Sequence, residues 1–420
     1  LAGLVAGRPS GGVSNGQRRA GAPPGAGEAP GIVIVCGSGG VGKTTTAAAL
    51  AAMAALERGG RVLAVTVDPA RRLANALGLE EFGNEEREIP PDAFIAGGAH
   101  PKGELWAAML DTKQSWDALV RRHAPDAHTA TRILENPLYQ NIAGRFVQSH
   151  DYIAMERLYE LSSEGGYDLI VVDTPPTRNA LDFIEAPARM ADFFSSRLLR
   201  LLIAPYRNRV VSMASRPFYQ VADRILGSQF LADIAEFFVL FQTMYRGFVT
   251  RARAVEGLLA DPGTTFVVVS TLEAAPLHEA QQFLDVLAAK RLHAGALVLN
   301  MVLPDYLLDP DALERARRLA EQATAMASSG SPVAVGARGG QGSGKGASVG
   351  GNLSADPAQV ARVLGEVATN FVNFSVVARR EAEDRRRLRG VPPVVATAPE
   401  LAEDIRDLAG LLRLGRQIWA

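Results

Sequence analysis

Short runs of valine, isoleucine and leucine with almost no polar alternation recur at Ile32–Cys36, Val62–Val67, Leu169–Val172, Phe266–Val269 and Ala296–Leu299, and more weakly at Val394–Ala396. A strand that shows no polar face is buried on both sides, the condition of parallel strands covered by helices. Helical patterns separate the runs. The prediction is therefore an α/β fold, a doubly wound parallel sheet with an inserted helical subdomain. The connections after Ala70 and after Asp173 are far longer than one crossover helix and read as helical, which places insertions at about 112–165 and 178–260. Residues 1–30 and 328–352 are rich in Gly, Ala, Ser and Pro and bury too little apolar surface to offset ordering entropy. They read as a disordered tail and a disordered loop, leaving 31–417 as the folded domain.

The chemistry stands at the end of the first run. Residues 32–46 read IVIVCGSGGVGKTTT, a buried strand followed by Gly37-x-x-x-x-Gly42-Lys43-Thr44 and then the Ala-rich helix Thr45–Leu56. Glycines let successive backbone amides turn toward phosphate oxygens, and the helix N-terminus adds partial positive charge. Lys43 bridges the β- and γ-phosphates, and the Thr44 hydroxyl takes a Mg²⁺ position. The expected nucleotide contacts are Gly37, Ser38, Gly39, Gly40, Val41, Gly42, Lys43, Thr44 and Thr45, and the expected cofactors are ATP and Mg²⁺. Gly339 to Lys345 also spells G-x-x-x-x-G-K, but Gly346 replaces the hydroxyl residue and no convincing strand precedes it.

Two carboxylates end neighbouring strands. The second run closes in Thr66-Val67-Asp68-Pro69-Ala70, where a carboxylate beside the γ-phosphate crevice directs the attacking water. The competing reading of Asp68 is a helix cap followed by proline at the first helical position. The third run closes in Asp173-Thr174-Pro175-Pro176-Thr177-Arg178, with Asp173 where a carboxylate holds Mg²⁺ directly or through water.

GGVGKTT, VDPA-x-x-L and DTPPT-x-x-A-L, in this order and at these spacings, resemble the anion-transporting (ArsA-type) ATPases of bacterial arsenite pumps and the eukaryotic targeting factors for tail-anchored membrane proteins. The likeness covers roughly residues 31–417. It implies a phosphate-loop ATPase acting as a dimeric switch, catalytic roles for Asp68 and Lys43, Mg²⁺ at Thr44 and Asp173, adenine contact by Asn300, and a base covered by Pro399–Leu408. It also implies a hydrophobic or membrane-directed client. Three features depart from the pattern: Ser38 stands where the family has a lysine that reaches the partner's phosphates, and both the zinc-binding cysteine pair and the arsenite-binding cysteine trio are missing, since Cys36 is the sole cysteine. The serine opens an alternative, a weakly catalytic nucleotide-binding subunit of a heterodimer with a lysine-bearing paralogue, beside the homodimer. A bacterial positioning ATPase fits less well, because that pattern keeps the lysine and lacks so large a helical insertion.

Composition narrows the partners. With 44 basic and 45 acidic residues the net charge is −1, so no basic excess draws nucleic acid. No run reaches the ~18 apolar residues of a membrane span, and one cysteine fits a reducing compartment; the expected location is the cytoplasm. Nine of the 16 phenylalanines fall between Phe183 and Phe248. Phe230, Ile234, Phe237, Phe238 and Phe241 share one helical face, either as core or as a groove for an apolar helix.

Overall fold

A computed structural model describes residues 1–3, 30–67, 72–77, 83–142, 149–164, 166–174, 185–186, 188–189, 192, 228–329, 357–388, 392, 394–401 and 403–419. The described chain forms two compact units, Leu1–Asn300 with Gly390–Ala420, and Met301–Arg389.

The first unit holds an eight-stranded sheet: β1 (Gly31–Gly37), β2 (Gly60–Thr66), β3 (Arg87–Ile89), β4 (Gly103–Met109), β5 (Leu169–Asp173), β6 (Thr264–Ser270), β7 (Ala294–Val302) and β8 (Val394–Pro399), in the order β3-β4-β2-β5-β1-β6-β7-β8. Neighbours from β4 through β7 pair in parallel, and β3 runs antiparallel to β4 at one edge. The six strands predicted from apolar runs are all present. β3 and β4 lie where the sequence reads as helical. β4 carries Glu104 and Trp106 among its apolar residues, so it lacks the uniform signal of a doubly buried strand.

Helix α1 (Lys43–Glu57) is alanine-rich and almost wholly buried, with the sheet on one side and α13 (Leu408–Trp419) on the other. Its small side chains let both layers approach closely. Leu50, Leu411 and Leu412 join Val33, Val35, Val171 and Val267 in this main core. Leu1–Gly3 do not follow the tail expectation: Leu1 is buried in the same core, and the Ala2 amide donates to the Trp419 carbonyl at 3.2 Å. Residues 4–29 lie outside the described residues.

Helices α2 (Arg72–Leu77) and α3 (Pro91–Ala96) pack on α13, and α2 also on α1. Between β4 and β5 run α4 (Thr112–His123), α5 (Ala127–Glu135), α6 (Pro137–Ile142) and α7 (Ser149–Glu164), and between β5 and β6 run α8 (Ser228–Phe241) and α9 (Tyr245–Leu259). Aspartates start two of them: Asp111 accepts from the Gln114 amide at 2.8 Å and Asp126 from the Thr129 amide at 2.7 Å. The two insertions share one core of Trp116, Tyr139, Tyr152, Phe237, Phe241 and Phe248. Trp116 stacks on Tyr152 with ring centroids 5.9 Å apart, and Phe241 on Phe248 at 5.1 Å. Phe237 and Phe241 are thus core residues, which decides between the two readings for that pair.

The second unit is built on α11 (Pro310–Ser329) and the 31-residue α12 (Pro357–Arg387), which pack against each other. Ser328 and Ser329, expected in a loop, end α11; residues 330–356 lie outside the described residues.

Candidate active site

β1 is central, with β5 on one side and β6 on the other, so its C-terminal end opens at the point where the chain turns to opposite halves of the sheet. In an open parallel sheet that crevice is where ligands bind. The register brings the ends of four strands together: Val35 and Thr66 both pair with Asp173, and Gly37 pairs with Val269.

The loop leaving β1 is shaped by its glycines. A Cβ on Gly37 would lie 2.1 Å from the Val269 carbonyl oxygen, so no side chain fits there. Gly42 caps α1 in a left-handed conformation, φ 91°, and a Cβ there would meet Asn300 Nδ2 at 2.2 Å. The chain then enters the helix at once, the Thr46 amide donating to the Gly42 carbonyl at 2.9 Å. The opening amides of such a helix have no carbonyl a turn behind them and suit an anion.

Lys43 is 6% exposed, and its Nζ donates to the Ser38 carbonyl at 2.7 Å, which folds the ammonium back over the loop. The Ser38 hydroxyl donates to Glu279, which stands on α10 (Ala274–Ala289). Thr44 and Thr45 are half-buried in the first turn of α1. Asn300, at the end of β7, is buried, and its Nδ2 donates to the Val41 carbonyl at 2.9 Å. The partner seen for the residue that the resemblance assigns to adenine is therefore the loop itself.

Asp173 is 1% exposed and accepts from the Thr66 hydroxyl at 2.8 Å. Beside it the Thr174 hydroxyl donates to the Val35 carbonyl at 2.9 Å, tying the end of β5 to β1. Burial pushes the Cys36 thiol up to about 12, against the opposing pull of a Thr174 hydrogen bond and of Lys43. Carboxylate and hydroxyl oxygens are hard donors of the kind Mg²⁺ takes, and Thr44 and Asp173 supply both. Among the described residues no three His, Cys, Asp or Glu side chains gather as a metal cage. An ion here would complete its shell with water and phosphate oxygens, the usual habit of Mg²⁺.

The profile of the family described as Anion-transporting ATPase matches residues 31–328. The chain belongs to that family. A protein of Aquifex aeolicus (strain VF5) named as an arsenical pump-driving ATPase is 25% identical over 285 residues, covering 67% of this chain and 65% of the relative. The ATPase get3 of Aspergillus terreus (strain NIH 2624 / FGSC A1156) is 27% identical over 273 residues, covering 64% and 73%. The ATPase GET3 of Phaeosphaeria nodorum (strain SN15 / ATCC MYA-4574 / FGSC 10173) is 26% identical over 280 residues, covering 64% and 76%. The chain thus spans about two thirds to three quarters of the length of these relatives.

The fold of this anion-transporting ATPase family member is the one its sequence predicts, and the enzyme class read from the sequence, ATP hydrolase, is the family's. Asp68 lies outside the described residues, as do Pro175–Arg178 that follow Thr174. Sequence reasoning missed Glu279, Thr66 and the Asn300–Val41 bond, whose partners are 241, 107 and 259 positions apart. No local pattern announces such pairings. Among the described residues no helix is long and apolar enough to cross a membrane.

Proposed function

We propose that this chain binds Mg·ATP at the Gly37–Thr45 loop and hydrolyses it, using the nucleotide state to control a hydrophobic or membrane-directed client as half of a dimer. The observation that carries the reading is the buried Lys43 ammonium held over the loop at the centre of the sheet. Lys43 exchanges the Ser38 carbonyl for phosphate oxygens, while the loop amides and the α1 N-terminus hold the remaining charge. Thr44 and Asp173 would hold Mg²⁺, which when bound would neutralise charge building on the phosphates. Thr66, by donating to Asp173, keeps that carboxylate aimed. Asp68, the second residue after β2 in the sequence, orients the attacking water and accepts its proton. Asn300 braces the loop through Val41.

Phosphate release by the purified protein, compared with Asp68→Asn, tests this. The amide keeps the shape but lacks the basicity to direct water, so binding should persist while hydrolysis falls at least about 100-fold. Equal rates would reduce Asp68 to a helix cap.

The serine at position 38 favours a second reading. A loop without the trans lysine turns over slowly by itself and faster beside a lysine-bearing relative, since a cation supplied in trans is worth about 10³ to 10⁵ in rate. Rapid turnover by the isolated chain, with no gain from Ser38→Lys, would reject it.

A further inference from the structure

Ser38 is gripped from both ends. Its carbonyl accepts from the buried Lys43 ammonium at 2.7 Å, and its hydroxyl donates to the Glu279 carboxylate. The carboxylate is exposed, but its backbone is fixed: Leu277, Ala280, Phe283, Leu284 and Leu287 on the buried face of α10 seat that helix against the sheet beside β6 and β1. Between Ser38 and the helix lie Gly39 and Gly40, both exposed, with Gly40 in the left-handed region at φ 83°. This is the stretch of loop with the least side-chain restraint. A carboxylate is thus moored to the tip of a loop whose amides and lysine are disposed to receive anions.

We propose that Glu279 is a positioning residue that latches the phosphate loop through Ser38 and so sets nucleotide affinity. The inference rests on the reading of the loop as the nucleotide site. Like charges a few ångströms apart at a protein surface repel measurably, and salt screens the effect. Polyphosphate entering the loop therefore disfavours the moored carboxylate, which must release Ser38 and swing into solvent as Lys43 leaves the Ser38 carbonyl for phosphate. Departure of product lets both contacts re-form, so the latch favours release.

The γ-phosphate adds charge at the lysine end of the loop, so a triphosphate feels the latch more than a diphosphate does. Glu279→Gln keeps an acceptor for the Ser38 hydroxyl and removes the charge; Glu279→Ala removes both. Neither change touches the core, so both variants should melt with the wild type. The test is equilibrium titration of the full chain with Mg²⁺ and a non-hydrolysable ATP analogue, and with Mg·ADP, at low and high sodium chloride. Glu279→Gln should bind the analogue about fivefold tighter at low salt, with the gain falling below about twofold at high salt and smaller for Mg·ADP throughout. A gain that is equal at both salts, or no gain, overturns the charge latch while leaving the nucleotide site intact. No binding by the wild type overturns the site and the latch together.

Discussion

Asn300 donates its side-chain amide to the Val41 carbonyl at 2.9 Å, and the same amide fills the space beside Gly42 where any Cβ would come within 2.2 Å. One side chain at the end of β7 therefore shapes the loop at the end of β1, across the intervening β6. Gly42→Ala should weaken nucleotide binding about tenfold or more, because alanine pays about 1–2 kcal/mol for the left-handed conformation and also meets Asn300. Adding Asn300→Ala removes the clash but not the strain, so calorimetry on the double variant should recover part of the affinity. Full recovery would show that strain contributes nothing.

The Thr66–Asp173 bond is buried at both ends. Thr66→Val keeps the shape and deletes a donor, at a cost of about 1–3 kcal/mol from leaving a buried carboxylate less well satisfied. The denaturant midpoint should fall accordingly, and the Mg²⁺ requirement for nucleotide binding should rise. An unchanged midpoint would mean that other partners of Asp173 hold it in place.

Phe237 and Phe241 lie with ring centroids 5.1 Å apart in the shared core of the insertions. Replacing Phe241 by Ala should cost about 3–5 kcal/mol and lower the melting temperature sharply. Retained stability would return this pair to the groove reading.

Much of this was legible along the chain. Six strands announced themselves because burial on both faces leaves no polar alternation, and the loop at 37–45 stood out because its glycines, lysine and hydroxyl keep the spacing of a phosphate-binding motif. β3 is three residues long and β4 mixes Glu104 and Trp106 into its run, so neither gave the same signal. The Phe-rich segment could be read as core or groove, since both use the same residue types. What decides is the partner surface, here Trp116 and Tyr152, both 85 or more positions from Phe237 and Phe241. The Ser38–Glu279 pairing had no sequence signature at all.

Cys36 offers a pH test. Its folded pKa of about 12 lies above the ordinary thiol value of 9.0, so the native state holds the proton more tightly. The stability this contributes is full below the ordinary value and is lost as pH rises toward 12. At pH 8 only about one thiol in ten thousand would be thiolate, so alkylation of the folded protein should be very slow and become rapid on unfolding. Fast modification of the native protein would contradict the burial of this side chain under the loop.

The central claim is that Lys43 is the cation of a nucleotide-binding loop, and calorimetric titration of Mg·ATP into the wild type and Lys43→Ala tests it most directly. The account predicts saturable binding by the wild type and none detectable by the variant, with both chains equally folded by circular dichroism. Equal affinity in the two proteins would contradict it.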